Sequence, residues 1–243
     1  MVRIRPRSVG SRVRGLVLCM WFLAGPAAAQ QDPAHNWFAT LVSQGDIPFQ
    51  VTHFWSRGPR LRMELVVGDH RVVQIVNGET YFVLDAVLGR GVAIRRHPRA
   101  LAADRPDRRP FGDELERLLE AGAEKIREER VAGKLADVYR LTEPGMRRTL
   151  WVSHDPPRLP IKLEVYNRSR GLTATHSYLS WTHPPALPDL FFEPDPRFEI
   201  EAVSYEAYVE RSASEPVGPA PVLLPVLLHG PREGPGGAAR KPR

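Results

Sequence analysis

The sequence predicts an α+β domain dominated by one antiparallel β-sheet, and three observations carry that prediction. Short runs rich in β-branched and aromatic residues recur along most of the chain. Turns containing Gly, Pro or Asn separate them at the spacing of hairpins. Helical periodicity is confined to two short segments.

The N-terminus reads as a secretory signal peptide. Arg3, Arg5, Arg7, Arg12 and Arg14 form a basic leader, residues 15–25 an apolar core too short to span a bilayer, and residues 26–29 a small-residue stretch. Cleavage is expected after Ala29, with export to the periplasm. Cys19 lies inside the apolar core, flanked by Leu18 and Met20, which does not fit a lipoprotein attachment site. The precursor has 34 basic and 28 acidic side chains; without the five leader arginines the mature chain has 29 against 28. Nucleic-acid binding therefore has no support from net charge. The single cysteine leaves with the leader, so the mature domain is expected to contain no disulfide.

Residues 34–43 place Trp37, Phe38, Leu41 and Val42 on one face of a helix, read as a lid. Strands are expected at 49–56, 60–67, 70–77, 79–85 and 90–96, with Asn77-Gly78 as a tight-hairpin signal. Residues 99–110 are Arg-rich and Pro-broken, an exposed loop. An amphipathic helix carrying Phe111, Leu115, Leu118 and Leu119 follows, ending near Gly122. Strands resume at 124–131, 134–142, 147–153, 158–167 and 172–182, making about ten. Leu61, Met63 and Leu65 alternate with Arg60, Arg62 and Glu64, so one face of the sheet is apolar and needs a cover. The domain is taken as residues 30–211. Residues 212–243, with seven prolines and five glycines, read as a tail. Its apolar run 221–230 has two readings, an extended segment laid along the domain or a latch in a hydrophobic groove.

Several phrases, in order, resemble the lipoprotein-sorting (lipoprotein carrier, LolA-like) family of periplasmic proteins. They are Arg62-Met63-Glu64, the hairpin at 76–81, residues 83–85, 131–134, 137–140, Trp151-Val152, 159–164 and the closing 188–194. The resemblance spans residues 34–200 and implies a strongly curved antiparallel sheet, an unclosed half-barrel, with helices over its concave apolar face. It further implies a non-enzymatic carrier that holds lipoprotein acyl chains or another lipid in that hollow. The alternative is an envelope sensor, regulatory or structural module that uses the same fold to bind a membrane-associated protein partner. The Arg-rich loop and the apolar tail depart from the family's pattern.

Candidate wall residues of the lipid cavity are Leu61, Met63, Leu65, Val73, Ile75, Phe82, Leu84, Leu163 and Val165, with Trp37, Phe38, Leu115 and Leu119 as the lid. Burying a methylene contributes about 0.8 kcal/mol, so an enclosed chain of roughly 16 carbons gains on the order of 12 kcal/mol, and a carrier must offset part of it to release cargo. No catalytic motif is present, and neither a cofactor nor a metal is expected. Among the eight histidines, which start at His35, His53 and His176 sit within strands and could approach one another. The cluster Arg95, Arg96, Arg99, Arg105, Arg108 and Arg109 is either a solvated loop or a surface for anionic lipid headgroups or an acidic membrane partner. The protein is expected to be a monomer.

Overall fold

The computed structural model describes residues 36–184 and 186–231. The leader with Cys19, the segment through His35, and residues 232–243 lie outside the described residues, so the expected cleavage site and the end of the tail do too.

Two meanders build the sheet. The first comprises β1 (Asn36–Gly45), β2 (Gln50–Arg57), β3 (Arg60–Val67), β4 (His70–Asn77), β5 (Thr80–Asp85) and β6 (Arg90–Arg95). Helices α1 (Pro98–Ala103) and α2 (Glu114–Glu120) intervene. The second comprises β7 (Glu124–Val131), β8 (Lys134–Glu143), β9 (Met146–Ser153), β10 (Pro160–Asn167) and β11 (Leu172–Thr182). Because β11 pairs with β1, the meanders fuse, and β12 (Glu199–Val203) adds parallel to β6. The result is one large, curved, unclosed sheet of twelve strands in the order β12-β6-β5-β4-β3-β2-β1-β11-β10-β9-β8-β7. Helices α3 (Tyr205–Ser212) and α4 (Pro225–His229) close the described chain.

Over its described residues, 36–43, the expected lid helix is strand β1. Its apolar residues fit a period of two as well as 3.6, and backbone pairing decides between them. Phe38 pairs with Trp55 of β2 and with Thr182 of β11, so β1 satisfies two neighbours that would otherwise be open edges. Trp37 and Phe38 consequently point to opposite faces. The exposed loop expected at 99–110 is also corrected: it opens with α1, whose first turn is capped by the His97 Nδ1 accepting from the Arg99 amide.

Two-residue turns set which side chains share a face. Gly68 and Gly78 take positive φ of 63° and 56°, and the hairpins around them pair Val67 with His70 and Asn77 with Thr80. Odd residues of β3 therefore lie beside even residues of β4 and odd residues of β5. Met63 neighbours Gln74, and Gln74 neighbours Val83.

The outer face carries Val73, Ile75, Phe82 and Leu84, covered by residues 187–200 with Phe192 fully buried at the centre. Arg57 and Arg60 both hold the Asp189 carboxylate, and Asn77 Nδ2 donates to the Phe192 carbonyl at 3.1 Å. Arg62 donates to the Phe191 carbonyl and lies 5.0 Å from that ring's centre. Phe192→Ala should lower stability by about 3–5 kcal/mol, read as a shift in the urea unfolding midpoint.

Candidate functional site: the inner face and its cover

The inner face carries the largest core cluster, including Ala39, Phe54, Leu61, Met63, Val76 and Ile94. Of the nine expected cavity residues, Leu61, Met63 and Leu65 belong to it. Leu163 and Val165 share that face in the second meander, where Leu163 packs with Leu150, Val152 and Leu118. Val73, Ile75, Phe82 and Leu84 point the other way, under Phe192. One cavity cannot be lined by all nine, because the two-residue turn at Gly68-Asp69 reverses the odd and even assignment between β3 and β4.

The lid is corrected in the same way. Trp37 is an inner-face strand residue and Phe38 stacks on the outer face with His53 and Trp55. In α2, Leu118 is the buried residue and Leu115 packs beside it, whereas Leu119 is 44% exposed. A shift of one residue, i+3 in place of i+4, separates this from the expected Leu115 and Leu119 pair.

What covers the first meander is the chain's own C-terminal segment. Ala220 and Leu228 are buried in the inner-face cluster, and Val222, Leu223, Leu224 and Leu227 pack against it. The run read from sequence as either an extended segment or a groove latch is thus seated on the apolar face. Three buried polar side chains hold it there. Gln74, 0% exposed, donates from Nε2 to the Pro221 carbonyl at 2.7 Å and accepts from the Leu223 amide at 3.0 Å through Oε1. The Tyr81 hydroxyl donates to the same Oε1 at 2.7 Å, and burial pushes its phenol well above the ordinary range. Arg96 donates from Nε to the Leu227 carbonyl at 2.6 Å, from Nη1 to the Gly78 carbonyl at 2.7 Å, and from both terminal nitrogens to Asp104 at 2.7 and 2.8 Å. The His97 amide donates to the Leu228 carbonyl at 2.9 Å. Gln74 and Tyr81 were not among the expected site residues, and Arg96 was expected only as part of the basic cluster. The one signal for Gln74 is an amide side chain inside the apolar run 72–76.

Between α2 and the segment, Arg109 is clasped by aromatic rings, its guanidinium 4.9 Å from the Trp37 ring centre and 5.0 Å from that of Trp181. Burial pushes it below the ordinary arginine value. Glu114 accepts from the Tyr178 hydroxyl at 2.9 Å, and burial pushes its carboxyl up.

The expected basic cluster is largely neutralised internally. Arg95 pairs with Glu79, Arg96 with Asp104 and Arg108 with Glu116, while Arg109 lies over the Trp37 and Trp181 rings. His53 and His176 lie on opposite faces, bonded to Thr40 and Ser43 respectively, and cannot share a metal. Glu128, Asp137 and His154 bring potential ligand atoms within 4.8 Å of one another. Lys125 and Arg158 already hold the Asp137 carboxylate at 2.9 and 2.6 Å, which supplies the positive charge an ion would bring.

No protein-family model matches the chain, and no curated protein matches it. Among solved structures it is similar to an uncharacterized conserved protein from Thermus thermophilus, with 8% identity and a TM-score of 0.50 over 70% of this chain and 91% of that one. The Pseudomonas aeruginosa MucA/MucB complex is matched at 18% identity and a TM-score of 0.40, over 72% of this chain and 61% of that one. A putative outer membrane lipoprotein-sorting protein domain from Vibrio parahaemolyticus is matched at 12% identity and a TM-score of 0.34, over 68% and 92%. Such likenesses bear on fold alone.

Two outcomes follow from this geometry. Arg96→Met leaves Asp104 and the Leu227 and Gly78 carbonyls without their donor, and should cost roughly 3 kcal/mol while speeding amide hydrogen exchange across residues 217–230. Glu114 has a folded pKa above its ordinary value of 4.5, so the folded state binds more protons and stability falls as pH rises through that window. Glu114→Gln removes this loss, and its urea midpoint should change less than the parent's between pH 4.5 and 7.

Proposed function

We propose that this chain is an exported, non-catalytic binding module of LolA-like fold that engages a membrane-associated protein partner. The observation that carries this reading is the seating of residues 217–228 on the inner face. An open lipid carrier needs that face vacant, or vacated at little cost.

Energetics disfavour vacating it by lipid alone. Burying an acyl chain of about 16 carbons contributes on the order of 12 kcal/mol. The segment's apolar side chains offset part of this: full burial contributes about 1.5–3 kcal/mol each, which Leu228 reaches, while Val222, Leu223, Leu224 and Leu227 are partly buried and contribute less. Expelling them also strips the segment's hydrogen bonds from Gln74 and Arg96, a further cost when those groups stay buried, whereas Tyr81 keeps its bond to Gln74. Incoming cargo must therefore offset both the apolar cover and the polar loss, and the covered state is the resting one.

Native mass spectrometry of the full-length protein purified from the periplasm, followed by lipid extraction, checks this reading. The expected result is a protein free of stoichiometric acyl lipid. One lipid per chain, retained through purification, would overturn it in favour of a carrier.

A further inference from the structure

The floor beneath residues 217–228 is built for a polypeptide backbone. Gln74 offers its amide nitrogen to the Pro221 carbonyl and its oxygen to the Leu223 amide, the two groups on either side of Val222. A single side chain thus does the work of a backbone peptide in a neighbouring strand. Arg96 and the His97 amide take the Leu227 and Leu228 carbonyls, and the Tyr81 hydroxyl lies 3.4 Å from the Leu224 amide.

We infer that the groove across β3–β6 is a site for an extended, apolar, proline-interrupted polypeptide segment presented by a partner, with the chain's own residues 217–228 as resident competitor. The inference rests on the protein-binding reading above and names the partner's chemistry. A hydrocarbon in the same place would leave the buried Gln74 amide nitrogen and the Arg96 Nε without their acceptors, while Tyr81 and Gln74 kept only each other, and apolar interiors penalise such unpaired donors. Prolines suit the floor because it takes three carbonyls of the segment, which proline retains, and Pro221 is itself one of these acceptors.

Two further features narrow the ligand. Leu228 is 0% exposed, an anchor for one leucine. Two residues later Gly230 has a φ of 84°, and a Cβ there would meet Arg99 Cβ at 2.7 Å and the Ala100 nitrogen at 2.9 Å. A fitting segment therefore carries leucine followed, two residues on, by glycine. The cover is also open along its flanks. A cleft of about 650 Å³ lies beside Tyr208, Pro216 and Val222, and one of about 530 Å³ beside Val92, Glu201 and Pro219. Residues 213–216, which join the segment to α3, are exposed.

That exposed linker makes the test possible on the folded full-length chain. A protease site replacing residues 213–216 allows the chain to be cut after folding, and a fluorescein-labelled synthetic peptide of residues 217–231 serves as the incoming segment. The nicked protein is expected to keep its fragment through gel filtration, then exchange it for the labelled peptide below the unfolding transition. Gln74→Leu in the nicked protein should speed release of the labelled peptide about tenfold, with Tyr81→Phe acting in the same direction should the first variant not fold. A fluorescent palmitate analogue should fail to displace the peptide. Displacement by the palmitate analogue, absence of exchange short of unfolding, or release rates indifferent to position 74 or 81 would each overturn the assignment. These failures leave a lipid-free purified protein unexplained but intact as a finding, whereas a copurifying lipid sinks the protein-binding reading whatever the peptide does.

Discussion

A sheet of twelve strands that does not close on itself has two faces to keep from water, and this chain covers both with its own irregular segments. Residues 187–200 lie over the outer face of the first meander, residues 217–228 over its inner face, and α2 over the second. Irregular covers carry unpaired backbone groups, and that need explains the polar side chains emerging from apolar strands. Gln74, Asn77 and Arg96 each bond a cover's carbonyl. The same residues that would look misplaced in a plain core are the fastenings of its lids.

Strand existence was legible because alternation and Gly-containing turns report local geometry. β3, β4, β7 and β11 have the bounds expected from sequence, and the position of α2 is also as read. β1 was not legible as a strand, since its ten residues satisfy two periods and only the distant partners β2 and β11 decide between them. The face assignment failed for a different reason. Two-residue turns force an odd residue of one strand beside an even residue of the next, and grouping Leu61 with Ile75 ignored that parity. Gln74 was hidden for a third reason: its partners lie about 150 residues away, and no local pattern encodes a contact with Pro221 or Leu223. β12, α3 and the seat of the C-terminal segment share that long-range character.

Charge distribution follows from the covers as well. Several arginines are structural once folded, among them Arg96 and Arg109 from the run that looks like a basic surface in sequence. Arg57, Arg60 and Arg62 clamp the outer cover, Arg96 clamps the inner one, and Arg109 lies over the contacting pair Trp37 and Trp181. A guanidinium suits such positions because it stays charged, offers several donors in one plane and stacks on aromatic rings. Charge near balance over residues 30–243, 29 basic against 28 acidic side chains, is compatible with this internal use of cations.

The cover of the inner face has a further consequence in the order of synthesis. Residues 217–228 follow every strand of the sheet in the chain, so all twelve strands emerge before their inner cover exists. Until then Leu61, Met63 and Ile94 have no permanent neighbour above them, and Gln74 and Arg96 have no carbonyl to bind. An incomplete chain is therefore an open, sticky half-barrel, and completion is a single late event that seals it.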